Sequence, residues 1–260
     1  MNVTLLKNSE KNGRPAELMV IDFLKFEGNN VNDLTKDKVF QDIDTDLATD
    51  TSLVEVKNES QCCWSGNWVI ETGTHKPLNI YASVSKLLNE KEYVTINELL
   101  DAQGGNANGC NLKSESDEMW VVITEKDMKD NYCISYPQKF LDRNLEKLNP
   151  NIPTIDKRVA IFVIDNNKLK QKLYNTPIPS KCIKLKEFTD KIIGENGKEY
   201  TKKYYNVLIQ GSLVERNFKC FDIRDCVKRT IYWNNEYFQK RGFLLEEFNS
   251  TESLEKKLND

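Results

Sequence analysis

Histidine is almost missing from this 260-residue chain, in which His75 stands alone. A single imidazole leaves no histidine-rich metal site and disfavours a Ser-His-Asp triad. A Cys-His nucleophile would have to be built on that one ring, and a lone histidine in Gly73-Thr74-His75-Lys76-Pro77 reads as a loop residue. Cysteine occurs seven times, at Cys62, Cys63, Cys110, Cys133, Cys182, Cys220 and Cys226. It never forms Cys-x-x-Cys, so the usual zinc signature is lacking and reduced structural thiols are expected. There is no Gly-x-x-x-x-Gly-Lys-Ser/Thr loop and no Gly-x-Gly-x-x-Gly, and the glycine-rich residues 104–109 carry no phosphate-loop lysine. Nucleotide-driven chemistry therefore has no foothold. No apolar run reaches the length of a membrane span, and Met1 to Lys7 is too short and polar for a secretory signal. These absences lead to the expectation of a soluble, cytoplasmic protein. The 39% hydrophobic and 10% aromatic content argues against disorder, and the length suits one large domain or two small ones.

What the chain does have is a concentration of acid around one lysine. Asp42, Asp44 and Asp46 recur at every second position, and Glu55-Val56-Lys57 follows. Alternate residues of a strand share a face, so Glu55 and Lys57 should point one way with Val54 and Val56 behind them. The three aspartates, if extended, would also share a face. Thr49-Asp50-Thr51-Ser52 between the two segments reads as a turn. A hairpin here would gather carboxylates and one ammonium at a single spot. Hard divalent cations take oxygen ligands of this kind, and metal-assisted phosphodiester hydrolysis needs a metal and a cation near the attacking water. The competing reading of the same pattern is a solvated sheet face.

In these residues the chain resembles the PD-(D/E)xK nuclease superfamily, whose signature is an aspartate followed by Asp/Glu-x-Lys in the next strand. Asp44 lies 11 positions before Glu55 and Asp42 lies 13 before; the proline of the family name is absent. Upstream, Gly13-Arg14-Pro15-Ala16-Glu17 would open a first helix running to Phe26, with Pro15 near its start and Gly28 as its stop. Downstream, Ser65-Gly66-Asn67-Trp68-Val69-Ile70-Glu71 looks like a third core strand. A further strand follows at residues 116–124, the next at 132–137, and a closing helix at 138–148. The resemblance covers roughly residues 13–148. It implies an α/β, restriction-endonuclease-like core with a central mixed sheet flanked by helices. It also implies a Mg²⁺-dependent deoxyribonuclease, with Mn²⁺ as a substitute. Asp44, Glu55 and the Val56 carbonyl would hold the metal, with Asp42 the alternative for the Asp44 role. Lys57 would orient or help deprotonate the attacking water. Glu17 would sit at the edge of the metal site, and Glu71 is a further candidate beside a hairpin-paired or solvated role.

Charge divides the chain. Residues 1–150 carry 16 Lys/Arg against 25 Asp/Glu, whereas residues 151–260 carry 21 against 15. Two prolines and two asparagines at 149–153 mark a candidate boundary. The expectation is a nuclease core over 1–150 and a basic α+β region over 151–260 that binds nucleic acid or dimerises. Within that region residues 158–164 read as a buried strand, residues 166–174 as a short helix, and residues 182–185 and 204–209 as strands around a turn at 194–197. Basic residues interleave with aromatics from Cys220 to Phe238, which suits phosphate contact and base stacking; Arg224, Lys228 and Arg229 are the candidate DNA contacts. The expected partner is DNA, a homodimer being the usual way to read a palindrome, in a bacterial or phage- or virus-infected cell. The alternative is a catalytically inactive nucleic-acid-binding or interaction protein on the same fold.

Overall fold

The computed structural model describes residues 3–59, 66–105, 111–126, 132–134, 159–193, 197–213, 220–232 and 236–237. The expected closing helix at 138–148 and the boundary at 149–153 lie outside the described residues. The protein is mixed α/β, with a mixed seven-stranded sheet flanked by helices.

The chain opens with α1 (Val3–Phe26). The helix starts ten residues before Gly13, so Pro15 lies inside it and not at its first turn. Its end is as expected: Gly28 takes φ +89°, and the amides of Gly28 and Asn29 reach back to the carbonyls of Lys25 and Leu24, a glycine-dependent helix stop. After β1 (Val31–Asp33), residues 38–42 form a short helix α2 (Lys38–Asp42) instead of the extended segment expected there. The aspartate ladder is broken as a result. Asp42 ends that helix, Asp44 sits in a turn with φ +49°, and only Asp46 leads into a strand.

The hairpin itself forms as read. β2 (Leu47–Thr49) and β3 (Leu53–Glu59) pair antiparallel, with Leu47 opposite Val54, and the Thr49 amide donates to the Ser52 carbonyl across the turn. β3 then pairs in parallel with β6 (Glu118–Lys126), placing Glu55 beside Met119 and Lys57 beside Val121. Two strands from the second half complete the sheet. β8 (Val159–Asp165) pairs with β6, and β13 (Val227–Tyr232) pairs with β8. A short β7 (Tyr132–Ile134) also pairs with β6.

The residues expected to form a third core strand lie elsewhere. β4 (Asn67–Lys76) joins a second sheet, pairing with β11 (Glu199–Ser212), itself the long partner of β10 (Ile183–Ile193); β12 (Phe221–Asp222) completes it. Between these sheets in sequence come α3 (Leu78–Glu90), β5 (Tyr93–Val94) and α4 (Ile96–Ala102), and later α5 (Asn166–Asn175) and β9 (Ile178–Pro179). Thr95 and Glu98 close a capping box on α4, and Asp165 caps α5 by accepting from the Lys168 amide.

Pleating sorts the apolar side chains into two cores. Ala16, Met19, Val20 and Phe23 of α1 pack with Val54, Val56, Trp120, Val122, Ile161 and Val163. The alternate residues Met119, Val121, Phe162 and Ile164 pack with Trp68, Ile70, Val207 and Ile209 of the second sheet and with the helices that follow it. Both cores draw on residues before and after position 150. The second half is therefore not a separate α+β unit: it supplies strands to the main sheet and the partner of β4. A fragment ending at residue 150 lacks β8, β13 and β11. It should show no cooperative thermal transition by circular dichroism under conditions where the full chain does; a cooperative melt of the fragment would restore the two-unit division.

Candidate active site

The register of the hairpin decides which aspartate meets Glu55. The ladder ends at the Leu47–Val54 pair, and the Asp46 amide still donates to the Val54 carbonyl at 3.0 Å, which keeps Asp46 against β3. β2 stops at Leu47, so the Val56 amide has no backbone partner on that side. The Asp46 carboxylate supplies one, accepting from Val56 N at 2.8 Å, and its charge acts on Glu55.

Asp44 closes the site from the loop side. Its left-handed backbone, which Asp tolerates better than most residues, is pinned by hydroxyls. Ser114 Oγ and Ser116 Oγ both donate to the Asp44 carbonyl, at 2.8 and 3.1 Å, and Thr45 bonds Ser116 at 2.9 Å. The charge of Asp44 acts on Asp46, Glu55, Lys57 and Glu71. Glu71 arrives from β4. Asn111 Oδ1 accepts from its amide at 2.8 Å, and Asn206 donates toward its carboxylate at 3.5 Å.

Electrostatics in this cluster are dominated by burial. Glu55 is 4% exposed. Desolvation, with Asp46 and Asp44 adding to it, pushes its carboxyl up to about 8 against the opposing pull of Lys57. Glu59, at the end of the same strand face, is raised to about 7 by burial and then by Glu71. Burial likewise raises Asp46 and Glu71. The Lys57 ammonium bonds Glu55 directly. Although burial works against its charge, the fields of Glu55, Asp46 and Asp44 hold its pKa above the ordinary lysine value. Lys57 is therefore a persistent cation, suited to orienting an anion or a water. It is a poor acceptor of the water's proton, which narrows the role expected of it.

Glu17 stands behind Asp46, on the α1 side. Arg14 pairs with it at 3.1 Å and with Asp33 at 2.6 Å. Burial raises the Glu17 carboxyl, and the charge of Asp46 raises it further. It thus touches the edge of the cluster through Asp46, not through Glu55. Asp42 ends α2, and its side chain lies outside the described residues.

Among the described residues no three His, Cys, Asp or Glu side chains form a ready-made metal cage. Mg²⁺ does not require one, since it is commonly held by one or two carboxylates together with substrate phosphates and water. The donor set fits a hard cation. Asp46 and Glu55 are neighbouring carboxylates, the Val56 carbonyl follows Glu55 along β3, and Glu55 Oε2 is buried with no hydrogen-bond partner. Buried acceptors left unmatched are rare, and a divalent ion would satisfy this one.

The three basic residues expected to touch DNA are arranged differently. Arg224 is bound by Asp222 at 2.9 and 2.7 Å, Lys228 pairs with Glu118, and Arg229 forms a bidentate pair with Glu27 at 2.8 and 2.7 Å. Arg229 also lies over the rings of Phe23 and Trp120, 5.6 and 5.2 Å from their centroids. Trp120 belongs to the α1-side core, on the opposite face of the main sheet from Glu55 and Lys57. Their charges are therefore already matched, and Arg229 sits away from the acidic cluster. Trp233 and Phe238 lie outside the described residues.

The raised carboxyls fix the sign of a pH effect. Between the ordinary value of 4.5 and about 8 the folded chain keeps a proton on Glu55 that the unfolded chain has released. Stability is then lost as pH rises through that window. The melting temperature of the metal-free protein should fall by roughly 5–15 °C across it. Glu55→Gln should flatten the profile, and Mn²⁺ should raise the melting temperature more at the alkaline end than at the acidic end. A metal-free profile that rises with pH, checked by differential scanning fluorimetry, would refute the assignment.

No family model, no curated protein and no solved structure matches this chain.

Proposed function

We propose that this chain is a metal-dependent endonuclease that hydrolyses DNA phosphodiester bonds, built on a restriction-endonuclease-like core. One observation carries the reading: the buried Glu55 carboxylate lies in the field of the half-buried Asp46, with the Lys57 cation on the same strand face and one Glu55 oxygen left without a partner. A solvated sheet face, the competing explanation of Glu-Val-Lys, accounts for neither the burial of Glu55 nor the crowding of carboxylates that raise one another's pKa.

Asp46, Glu55 and the Val56 carbonyl would hold Mg²⁺, with Mn²⁺ able to replace it and Asp44 at the loop edge as a third carboxylate. Bound there, the ion supplies Lewis-acid polarisation of the scissile phosphate and a more acidic water. Lys57 orients the attacking water and meets the negative charge that develops on the phosphoryl oxygens, an electrostatic role worth most in a site that excludes water. Glu55 anchors the Lys57 ammonium. Glu17 supports Asp46 from behind.

The test is digestion of supercoiled plasmid by the full-length protein with Mg²⁺, Mn²⁺ or EDTA. Metal-dependent nicking is expected, reduced about 100-fold or more in Lys57→Ala and abolished in Glu55→Ala. Asp46→Ala and Asp44→Ala should both lose activity. Cleavage by Lys57→Ala at the parent rate would sink the mechanism. Binding of DNA by the parent protein without any cleavage would make the chain an inactive nucleic-acid-binding protein.

A further inference from the structure

The second sheet extends beyond its own body. β10 and β11 pair in unbroken register from Ile183–Ile209 to Ile193–Glu199, while β4 accompanies β11 only as far as Tyr205. Beyond that point the hairpin is a two-stranded ribbon, met at its base by the His75 ring of β4, which lies edge-on to Tyr204 with centroids 5.4 Å apart.

Its two faces differ. On one, Glu187 pairs with Lys203 at 2.8 Å and Lys191 with Glu199 at 2.6 Å, so charge is balanced. The other carries Lys186, Phe188, Tyr204 and Lys202, with Phe188 directly opposite Tyr204 and Asp190 in register with Lys202. Both lysines are exposed and both rings half-buried. The Lys186 ammonium lies 4.9 Å from the Phe188 centroid and that of Lys202 lies 4.8 Å from the Tyr204 centroid. Neither lysine forms an ion pair among the described residues. An ammonium resting on a ring in open solvent is weakly held and free to turn to a stronger anion.

This face leads into the acidic cluster. Lys186 pairs in register with Asn206, whose side chain accepts from the His75 amide at 3.0 Å and donates toward Glu71. Glu71 lies opposite Leu208, on the same face. At the near end the charge of Lys186 is felt by Glu59, the last residue of β3. The charges of Lys57, Glu71 and Lys186 are thus all felt at Glu59, and Asn206 ties Glu71 to the ribbon. The distance from Lys186 to the level of Lys202 is four residues, about 13 Å of strand.

We propose that this ribbon face is the track for a single-stranded nucleic-acid segment adjoining the scissile phosphate. In this track Lys186 and Lys202 meet backbone phosphates and Phe188 and Tyr204 stack against unpaired bases. The proposal deepens the nuclease reading and rests on it for the position of the cleaved bond. Charge complementarity favours a polyanion over a protein partner. The facing pair of rings favours unpaired bases, because stacking on aromatics needs a base that is free of the duplex.

The experiment is fluorescence anisotropy of the full-length protein in EDTA, with a labelled single-stranded oligonucleotide and with its duplex, over a range of salt. The parent chain should bind the single strand more tightly than the duplex. Lys186→Ala/Lys202→Ala should weaken that binding about tenfold and flatten the dependence of log affinity on log salt by about 1.4, the value for two lost phosphate contacts on a single strand. Phe188→Leu/Tyr204→Leu should weaken it at least about fivefold with the salt slope unchanged. Lys191→Ala/Lys203→Ala, on the balanced face, should bind as the parent does. Parent-like binding by the Lys186/Lys202 variant, preference for duplex, or indifference to the ring substitutions would each overturn the track. Because EDTA removes cleavage, the readout stands apart from catalysis. Binding that depends on the ribbon in a chain that cuts nothing would sink the nuclease reading alone, whereas metal-dependent cutting by a chain whose ribbon variants bind normally would sink the track alone.

Discussion

The pleat of β3 is the constraint on which the rest of the site depends. Five of its residues are committed by it: Val54 and Val56 enter the core under α1, which obliges Glu55, Lys57 and Glu59 to point the other way. A slip of one residue would bury Lys57 under α1 and expose the valines, so the apolar core holds the charged face in place. The parallel pairing with β6 locks that register again, through Met119 and Val121 beside Glu55 and Lys57. Carboxylates that repel one another are thus kept together by hydrophobic packing on the reverse side of the strand.

The cost of this arrangement is visible in the cluster itself. Five carboxylates act on or through a single ammonium, and burial leaves Glu55 and Glu59 short of full ionisation near neutral pH. Ionised groups gathered away from water are held only where other forces determine their positions. The serine and threonine hydroxyls around Asp44 and the amide caught by Asp46 are forces of that kind. They hold the carboxylates in position whether or not a cation is bound, which is the preorganisation that electrostatic catalysis requires.

Much of the site was legible in the sequence, and the exceptions have particular causes. Alternation alone gave the shared face of Glu55 and Lys57, and turn chemistry gave residues 49–52. Counting outward from that turn leads to Asp46 beside Glu55, but the family spacing drew attention to Asp44 and Asp42. The register was readable and the spacing outweighed it. Both Asp44 and Asp46 prove to reach the cluster. The capping box at Thr95 and Glu98 is a local signal that announces α4, although no helix was assigned there. Other features had no local signal. Nothing near Arg229 indicates a partner 202 residues earlier, and nothing in Trp68 to Ile70 indicates pairing with β11 in place of β3. Such pairings are fixed by which surfaces remain uncovered once the whole chain has collapsed. For the same reason the prolines at 149–153, a reasonable local stop, do not divide the structure: strands from both sides of them complete one sheet.

The β10–β11 ribbon carries a consequence for how copies of this chain meet. β10 lies at the edge of its sheet along its whole length, and it is the sort of edge on which a second molecule could extend the ladder. Lysines at 184, 186 and 191 line it, and like charges brought edge to edge are the usual barrier to that pairing. Neutralising them, by a bound polyanion or by acetylation, would lower the barrier. Saturation with its own ligand is then also the condition under which this protein is most exposed to strand-to-strand association.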